Sequence, residues 1–143
     1  MSTLRHVGLI VSDIDKALSI YRDILGFNPK IDQIESGEFY EHLTGITSGK
    51  ARTLKCYSSD GTCIELIQYL SHKPEKRNKD LLTDGFNHIA LNVSNIDLIY
   101  KSLLDLGLES INEPKINKEK SAKVAFCYDY EKNLLELVQT KKL

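Results

Sequence analysis

The chain has 143 residues, 41% of them hydrophobic and 27% charged, which is typical of one soluble domain with a buried core. Its net charge of -1 gives no reason to expect a nucleic acid or a membrane as a partner. No window approaches the ~20 apolar residues of a membrane span, and the N-terminus lacks a signal-peptide pattern. The three cysteines form no C-x-x-C pair, so no disulfide framework is expected and a cytoplasmic location is predicted.

The first residues predict a strand followed by an amphipathic helix. Residues 4–11 alternate as a strand does. Ser12 or Asp13 then offers a side-chain oxygen as the N-cap of a helix, whose apolar stripe lies within residues 14–25. Gly26 follows at a position where helices commonly end. The chain therefore opens with one strand–helix pair.

More strands are predicted before the pattern changes in the middle of the chain. Residues 31–50 are polar, contain glycine turn signals and have no clear assignment. Strands are predicted at residues 52–58 and 63–69, and the turn signal at residues 59–62 indicates a hairpin. Residues 71–86 break the pattern and are the predicted linker between two halves.

The second half repeats the pattern of the first. A strand at residues 87–93 leads to Asn95 as N-cap and to an apolar helical stripe at residues 96–104, which Gly107 closes. The rest is predicted as a basic loop at residues 112–121, strands at residues 123–128 and 134–140, and a turn at residues 129–133.

Each half carries a histidine at the same place in its first strand. His6 and His88 both take the second position of an apolar, β-branched run. The predicted cap of the next helix, Asp13 or Asn95, follows each histidine by seven positions. This agreement in spacing indicates an internal repeat, and such a chain is expected to build one site from two halves.

Each half also carries a glutamate at the same place in its last strand. Glu65 and Glu136 lie between apolar neighbours, so their side chains point to the opposite face of the sheet. That face is also partly apolar, and a carboxylate there needs a partner. Two imidazoles and two carboxylates suit a divalent ion such as Zn, Ni, Co, Fe or Mn. The repeat relates His6 to His88 and Glu65 to Glu136, so a pseudo-two-fold arrangement could bring all four side chains to one centre.

The motifs resemble those of the vicinal oxygen chelate superfamily, which includes glyoxalase I, methylmalonyl-CoA epimerase, bleomycin resistance proteins and extradiol dioxygenases. Residues 5–14 and 21–27 are similar to its opening motif. Residues 60–66 and 133–137 are similar to its two carboxylate motifs, and the likeness covers essentially the whole chain.

The resemblance implies an α+β fold in which two tandem βαβββ modules form an open, U-shaped eight-stranded sheet around a metal. The metal ligands that it implies are His6, Glu65, His88 and Glu136. It makes the chain a single domain over residues 1–143, with module one at about residues 1–70 and module two at about residues 87–143. Homodimers are usual in this superfamily, so a homodimer is expected, and the site could form within one chain or across two.

The resemblance also implies a metal-dependent isomerase, epimerase or lyase that acts on a small carbonyl or thioester compound. In a glyoxalase-like reaction Glu136, or its counterpart Glu65, would be the base. An epimerase-like reaction would need a further glutamate, for which Glu38 and Glu41 are available. Apolar residues 9–11 stand where glyoxalase I commonly has an arginine for glutathione, which favours an epimerase-like or another substrate.

Two other classes of function stay open. An Fe(II) dioxygenase typically uses two histidines and one carboxylate, and Glu65 argues against it because it would occupy a position needed by substrate or oxygen. A metal-free protein that binds a small molecule, such as an antibiotic, has no need of four filled ligand positions. Both are therefore alternatives to the metal-dependent enzyme.

Overall fold

The computed structural model describes residues 1–76 and 81–141. The chain divides into two compact units, Met1–Lys76 and Arg77–Leu143, and each contains one four-stranded mixed sheet. The predicted α+β fold of two tandem modules is confirmed, with its eight strands divided equally between the two sheets. Residues 77–80 of the predicted linker lie outside the described residues.

The first unit has a sheet in the order β1-β4-β3-β2. β1 pairs with β4 in parallel, and the other two pairings are antiparallel. The parallel pairing is possible because a helix connects β1 to the rest of the sheet. The elements are β1 (Val7–Ile10), α1 (Ile14–Tyr21), β2 (Asn28–Ser36), α2 (Glu38–Thr44), β3 (Lys50–Tyr57) and β4 (Cys63–Tyr69).

The second unit repeats this topology with a sheet in the order β5-β8-β7-β6. β5 pairs with β8 in parallel, and β7 pairs antiparallel with both β6 and β8. The elements are β5 (His88–Asn92), α3 (Ile96–Asp105), β6 (Lys115–Ile116), β7 (Ala122–Tyr128) and β8 (Leu134–Thr140).

The helices begin at the two predicted N-caps. Asp13 Oδ1 accepts a hydrogen bond from the Lys16 amide at 3.1 Å, and Asn95 Oδ1 accepts one from the Leu98 amide at 3.1 Å. Each cap satisfies an amide that the first turn leaves without a helical partner. α1 ends at Tyr21, before the predicted stripe does, and the chain then turns through residues 22–26.

A glutamine from the last strand of each unit adds a second cap. Gln68 Oε1 accepts a hydrogen bond from the Ile14 amide at 2.9 Å. Gln139 Oε1 accepts one from the Ile96 amide at 2.7 Å. These contacts tie the start of each helix to the strand that carries the glutamate, three residues earlier in each case.

The core of each unit lies between the helix and one face of its sheet. α1 packs against β4, and α3 packs against β7 and β8. The alternation of the strands sends the buried apolar residues to this face and leaves Glu65 and Glu136 on the other. The buried apolar side chains include Ile14, Tyr21, Leu54, Ile64 and Leu66 in the first unit and Ile96, Leu103, Leu135 and Leu137 in the second.

Three elements lie where the sequence predicted none. β2 and α2 fall largely within residues 31–50, which had no assignment, and β6 falls in the predicted loop at residues 112–121. β2 is an edge strand whose residues are almost all exposed, so it lacks the alternation that marks a strand. α2 buries only Tyr40. Among the described residues, none of the helices combines the length and the apolar character needed to cross a membrane.

Candidate functional site

The first unit brings His6 next to Glu65. His6 lies immediately before β1, and the parallel pairing places Gly8 opposite Glu65 on β4. The Nε2 atom of His6 is 3.1 Å from Oε2 of Glu65. The carboxylate side chain is only 13% exposed, which fits the prediction that it is partly covered and requires a partner.

The second unit repeats this contact with His88 and Glu136. His88 is the first residue of β5, and Ala90 lies opposite Glu136 on β8. The Nε2 atom of His88 is 3.1 Å from Oε2 of Glu136, the same distance as in the first unit. The repeat in the sequence therefore extends to the geometry of the two side-chain pairs.

Asn87 sets the hydrogen bonding of the His88 ring. Its Nδ2 donates to the Leu81 carbonyl at 2.9 Å, and its Oδ1 lies 2.8 Å from His88 Nδ1. Because Oδ1 can only accept, Nδ1 must carry the hydrogen in this contact. The other ring nitrogen, Nε2, faces Glu136. Metal-binding histidines commonly have this arrangement, with one nitrogen held by an oxygen and the other on the ion.

His6 differs from His88 in this respect. Its Nδ1 atom is buried and has no hydrogen-bond partner among the described residues. Arg5 takes the place in the sequence that Asn87 has in the second unit, and a guanidinium has no acceptor to offer. Among the described residues, the first unit therefore has no counterpart of the Asn87–His88 hydrogen bond.

The donor atoms of each pair are suited to a shared cation. A ring nitrogen with a lone pair and a carboxylate oxygen attract each other only through a proton or a metal ion between them. Two ligands at about 2.1 Å from a metal ion, at angles of about 90–109°, are separated by about 3.0–3.4 Å. The 3.1 Å separation in both pairs matches this value. Within residues 1–76 and 81–141, however, no group of three or more His, Cys, Asp or Glu side chains could hold a metal ion.

The residue opposite the glutamate differs between the units. In the first unit it is Lys55 on β3, whose Nζ lies 3.0 Å from Glu65 Oε1. In the second unit it is Phe126 on β7. The Phe126 ring meets the His88 ring edge-on, with centroids 5.3 Å apart and planes at 87°. One glutamate thus has a cation beside it and the other an aromatic ring.

The Glu65 face of the first sheet carries further polar groups. Tyr40 of α2 is buried and forms a hydrogen bond with Tyr69 of β4. Burial raises the pKa of Tyr40 well above its usual range, and the contact with Tyr69 and the charges of Glu35 and Glu65 act in the same direction. Thr53 is 5% exposed, and its hydroxyl has no hydrogen-bond partner among the described residues.

The second unit has an apolar cavity of about 320 Å³ on the Glu136 side of its sheet. Phe126 forms part of its wall and also meets the His88 ring edge-on, whereas neither His88 nor Glu136 lines the cavity. Small-molecule sites commonly have this combination of apolar walls and a few polar groups. The walls include Ile111, Lys115, Ile116, Val124 and Phe126.

The two alternative glutamates lie apart from these pairs. Glu38 is exposed at the start of α2, and Glu41 Oε1 accepts a hydrogen bond from the Ser48 amide at 2.9 Å. Among the described residues, neither forms a hydrogen bond or ion pair with His6 or Glu65. The structure therefore brings the predicted ligands together as His6 with Glu65 and His88 with Glu136.

Sequence reasoning missed Lys55, Asn87 and Phe126. A signal for Lys55 was present: in the predicted hairpin around residues 59–62, Tyr57 pairs with Cys63, and Lys55 must then face Glu65. A signal for Asn87 was also present, because it precedes the candidate ligand His88 and its side-chain oxygen can accept a hydrogen bond from the ring.

A family model and a relative of known description both match most of this chain. A family model described as the Glyoxalase/Bleomycin resistance protein/Dioxygenase superfamily matches residues 5–126. A probable lactoylglutathione lyase of Synechocystis sp. is 34% identical over 138 residues, which are 96% of this chain and 95% of the relative.

Solved structures show the same fold. A glyoxalase family protein from Bacillus cereus has a TM-score of 0.89 and 22% identity, and the match covers 99% of this chain and 96% of that one. The fosfomycin resistance protein FosX from Listeria monocytogenes, solved with Mn(II) and sulfate, has a TM-score of 0.62 and 19% identity, with 99% and 94% covered.

Proposed function

The chain belongs to the Glyoxalase/Bleomycin resistance protein/Dioxygenase superfamily, and we propose that it is a divalent-metal-dependent lyase or isomerase. In this proposal it moves a proton on a carbon next to the carbonyl or thioester group of a small substrate. The observation that carries the proposal is the pair of matching contacts, His6–Glu65 and His88–Glu136, each at 3.1 Å.

The proposed metal site uses all four of these side chains. Each unit alone supplies two donors, and an ion with open positions for a substrate needs three or more protein ligands. Members of this superfamily typically use a divalent metal, and FosX of L. monocytogenes was solved with Mn(II). The candidate ions are Zn, Ni, Co, Mn and Fe, because two imidazoles and two carboxylates suit them. A homodimer is part of the proposal, and the four ligands come from one chain or from two.

The residues of this chain would divide the chemistry between them. A bound divalent ion supplies positive charge next to the substrate oxygen on which negative charge develops. The carboxylate of Glu136, or of Glu65, takes the proton from the neighbouring carbon, and the C–H electron pair moves toward that oxygen. The same proton is then returned, either to the same carbon or to its neighbour. No oxidant or reductant is needed.

The substrate has two candidate classes. The relative from Synechocystis sp. is named for lactoylglutathione, which supports a glutathione adduct. Two features support a substrate with an apolar substituent instead: Ile10, which is exposed on the Glu65 face of the first sheet, and the apolar cavity that Phe126 lines. A carbonyl or thioester compound is common to both.

One experiment tests the reaction class. Metal-loaded protein is incubated with methylglyoxal and glutathione, and in parallel in D₂O with a panel of thioesters and hydroxycarbonyl compounds that carry apolar substituents. We expect thioester formation in the first assay or deuterium at the carbon next to the carbonyl in the second, and loss of either in Glu136→Gln.

Two results would contradict the proposal. Oxygen consumption by the Fe(II)-loaded protein with a catechol would identify a dioxygenase. Tight binding of a small molecule by metal-free protein, without proton exchange in any assay, would identify a binding protein.

A further inference from the structure

The two glutamates stand at equivalent positions but have different neighbours. In the pairing of β3 with β4, Lys55 lies opposite Glu65, and in the pairing of β7 with β8, Phe126 lies opposite Glu136. The histidine contact is the same in both units, 3.1 Å between Nε2 and Oε2. The difference between the glutamates therefore arises on the side away from the histidine.

Glu65 is held from two sides. Its Oε2 atom faces His6, and its Oε1 atom lies 3.0 Å from Lys55 Nζ. The side chains of Lys55 and Glu65 are 17% and 13% exposed, so solvent screens this ion pair less than a surface pair. A carboxylate with both oxygens engaged has little freedom to rotate about its last bond.

Among the described residues, the charged contact of Glu136 is the one that its Oε2 atom makes with His88. The position opposite holds Phe126, whose ring offers no hydrogen-bond donor or charge and meets His88 edge-on. The Glu136 side chain is also more exposed, at 24%. Its second oxygen is therefore free to turn toward a substrate.

We propose that Lys55 is a positioning residue that fixes Glu65 as a permanent metal ligand, whereas Glu136, opposite Phe126, is the carboxylate that is free to exchange protons with the substrate. This role depends on the metal-dependent function proposed above. Hydrogen-bond partners of metal ligands typically contribute 10- to 100-fold to metal affinity or activity. Lys55 would supply that contribution to one glutamate only.

The test compares metal affinity with turnover in matched variants. Co²⁺ affinity is measured by competition with a chromophoric chelator, and kcat and KM by the proton-transfer assay above. Lys55→Met removes the ammonium but keeps the length of the side chain. Lys50→Met makes the same change at an exposed residue of the same strand. Lys55→Arg restores a cation, and Phe126→Lys places one opposite Glu136.

The variants have distinct expected results. Lys55→Met weakens Co²⁺ binding about 10- to 100-fold, and Lys55→Arg recovers most of it. At saturating Co²⁺, kcat of Lys55→Met changes less than its metal affinity does. Phe126→Lys lowers kcat about tenfold or more because it engages the free oxygen of Glu136, while its Co²⁺ affinity is not weakened. Lys50→Met matches the unchanged protein in both measurements.

The outcomes also separate this inference from the proposed function. If the unchanged protein binds Co²⁺ and Lys55→Met binds it equally well, the role of Lys55 is wrong and the metal site stands. If Phe126→Lys keeps full kcat, the role of Glu136 as the free carboxylate is wrong and the metal site again stands. If the unchanged protein binds no Co²⁺, the proposed function fails and the role of Lys55 fails with it. Circular dichroism and urea unfolding establish that each variant is folded, and recovery in Lys55→Arg excludes a loss of folding as the cause.

Discussion

The side-chain oxygen of Asn87 lies 2.8 Å from Nδ1 of His88, which makes the residue before the proposed ligand its hydrogen-bond partner. Asn87→Leu removes this acceptor and lets the ring turn. We expect Zn²⁺ affinity, measured by isothermal titration calorimetry, to fall about 10- to 100-fold.

Asn87→Asp is the matched control for this prediction. It keeps an acceptor for Nδ1, loses the hydrogen bond to the Leu81 carbonyl and adds a negative charge that strengthens the contact with the ring N–H. We expect its affinity to stay near that of the unchanged protein. Equal weakening in both variants would show that Asn87 acts on the loop around Leu81 and not on the ring.

The two capping glutamines should contribute to stability in the same way. Gln68→Ala and Gln139→Ala each leave the first amide of a helix without its acceptor, so we expect each to lower the free energy of unfolding by about 1 kcal/mol. Urea unfolding measures the change. Gln33→Ala, at an exposed position of β2, should stay within about 0.5 kcal/mol of the unchanged protein. Losses no larger than that of Gln33→Ala would contradict the capping role.

Asp129 organises the turn that leads into β8 and Glu136. It is 2% exposed. Its Oδ1 accepts hydrogen bonds from the amides of Glu131 at 3.0 Å and Asn133 at 2.7 Å, and its Oδ2 accepts one from Asn133 Nδ2 at 2.8 Å. Asp129→Ala should therefore lower the free energy of unfolding by about 2 kcal/mol. Urea unfolding of Glu119→Ala, at an exposed position, gives the reference, and an equal effect of the two substitutions would show that the turn does not depend on Asp129.

The cysteines should be unreactive in the folded protein. Burial raises the pKa of the Cys56 and Cys127 thiols to about 11, and Cys63 is buried as well. Only the thiolate is nucleophilic, so at pH 8 iodoacetamide should leave all three unmodified in the native protein and alkylate all three in urea. Mass spectrometry counts the added groups, and rapid alkylation of native protein would contradict the burial of these thiols.

The same shift has a consequence for stability at high pH. A raised pKa means that the folded state holds the thiol proton more tightly than the unfolded chain does. The resulting stabilisation is complete below the ordinary thiol pKa of 9.0 and is lost as the pH rises toward about 11. The free energy of unfolding should therefore decrease over this interval. The decrease should be smaller in the Cys56→Ala, Cys127→Ala double variant, and the raised pKa of Tyr40 accounts for a remainder above about pH 10.

The repeat allowed much of the fold to be predicted. The helix N-caps Asp13 and Asn95 and the strands that carry Glu65 and Glu136 follow from local pattern, because capping and alternation are set by neighbouring residues. β2 could not be found in this way. Its residues are almost all exposed, and its conformation depends on pairing with β3, which a local pattern does not report.

The repeat also allowed part of the candidate site to be predicted. Each His–Glu contact joins the start of the first strand, at His6 just before β1 or His88 in β5, to the last strand of the same unit. The matching spacing in the two halves pointed to both contacts. The difference between Lys55 and Phe126 required the register of the hairpins, which the predicted strands did not include. A repeat in the sequence identifies equivalent residues. Finding which residue lies opposite each of them requires the strand pairing to be known.

The metal content of the protein tests the central claim most directly. Protein purified without chelator is measured by elemental analysis beside His6→Ala and Glu136→Ala, one variant from each unit. We predict about one divalent ion per chain in the unchanged protein and its loss in both variants. No metal in the unchanged protein, and no uptake of added Ni, Zn, Co or Mn, would contradict the metal-dependent enzyme and leave a small-molecule binding protein on the same fold.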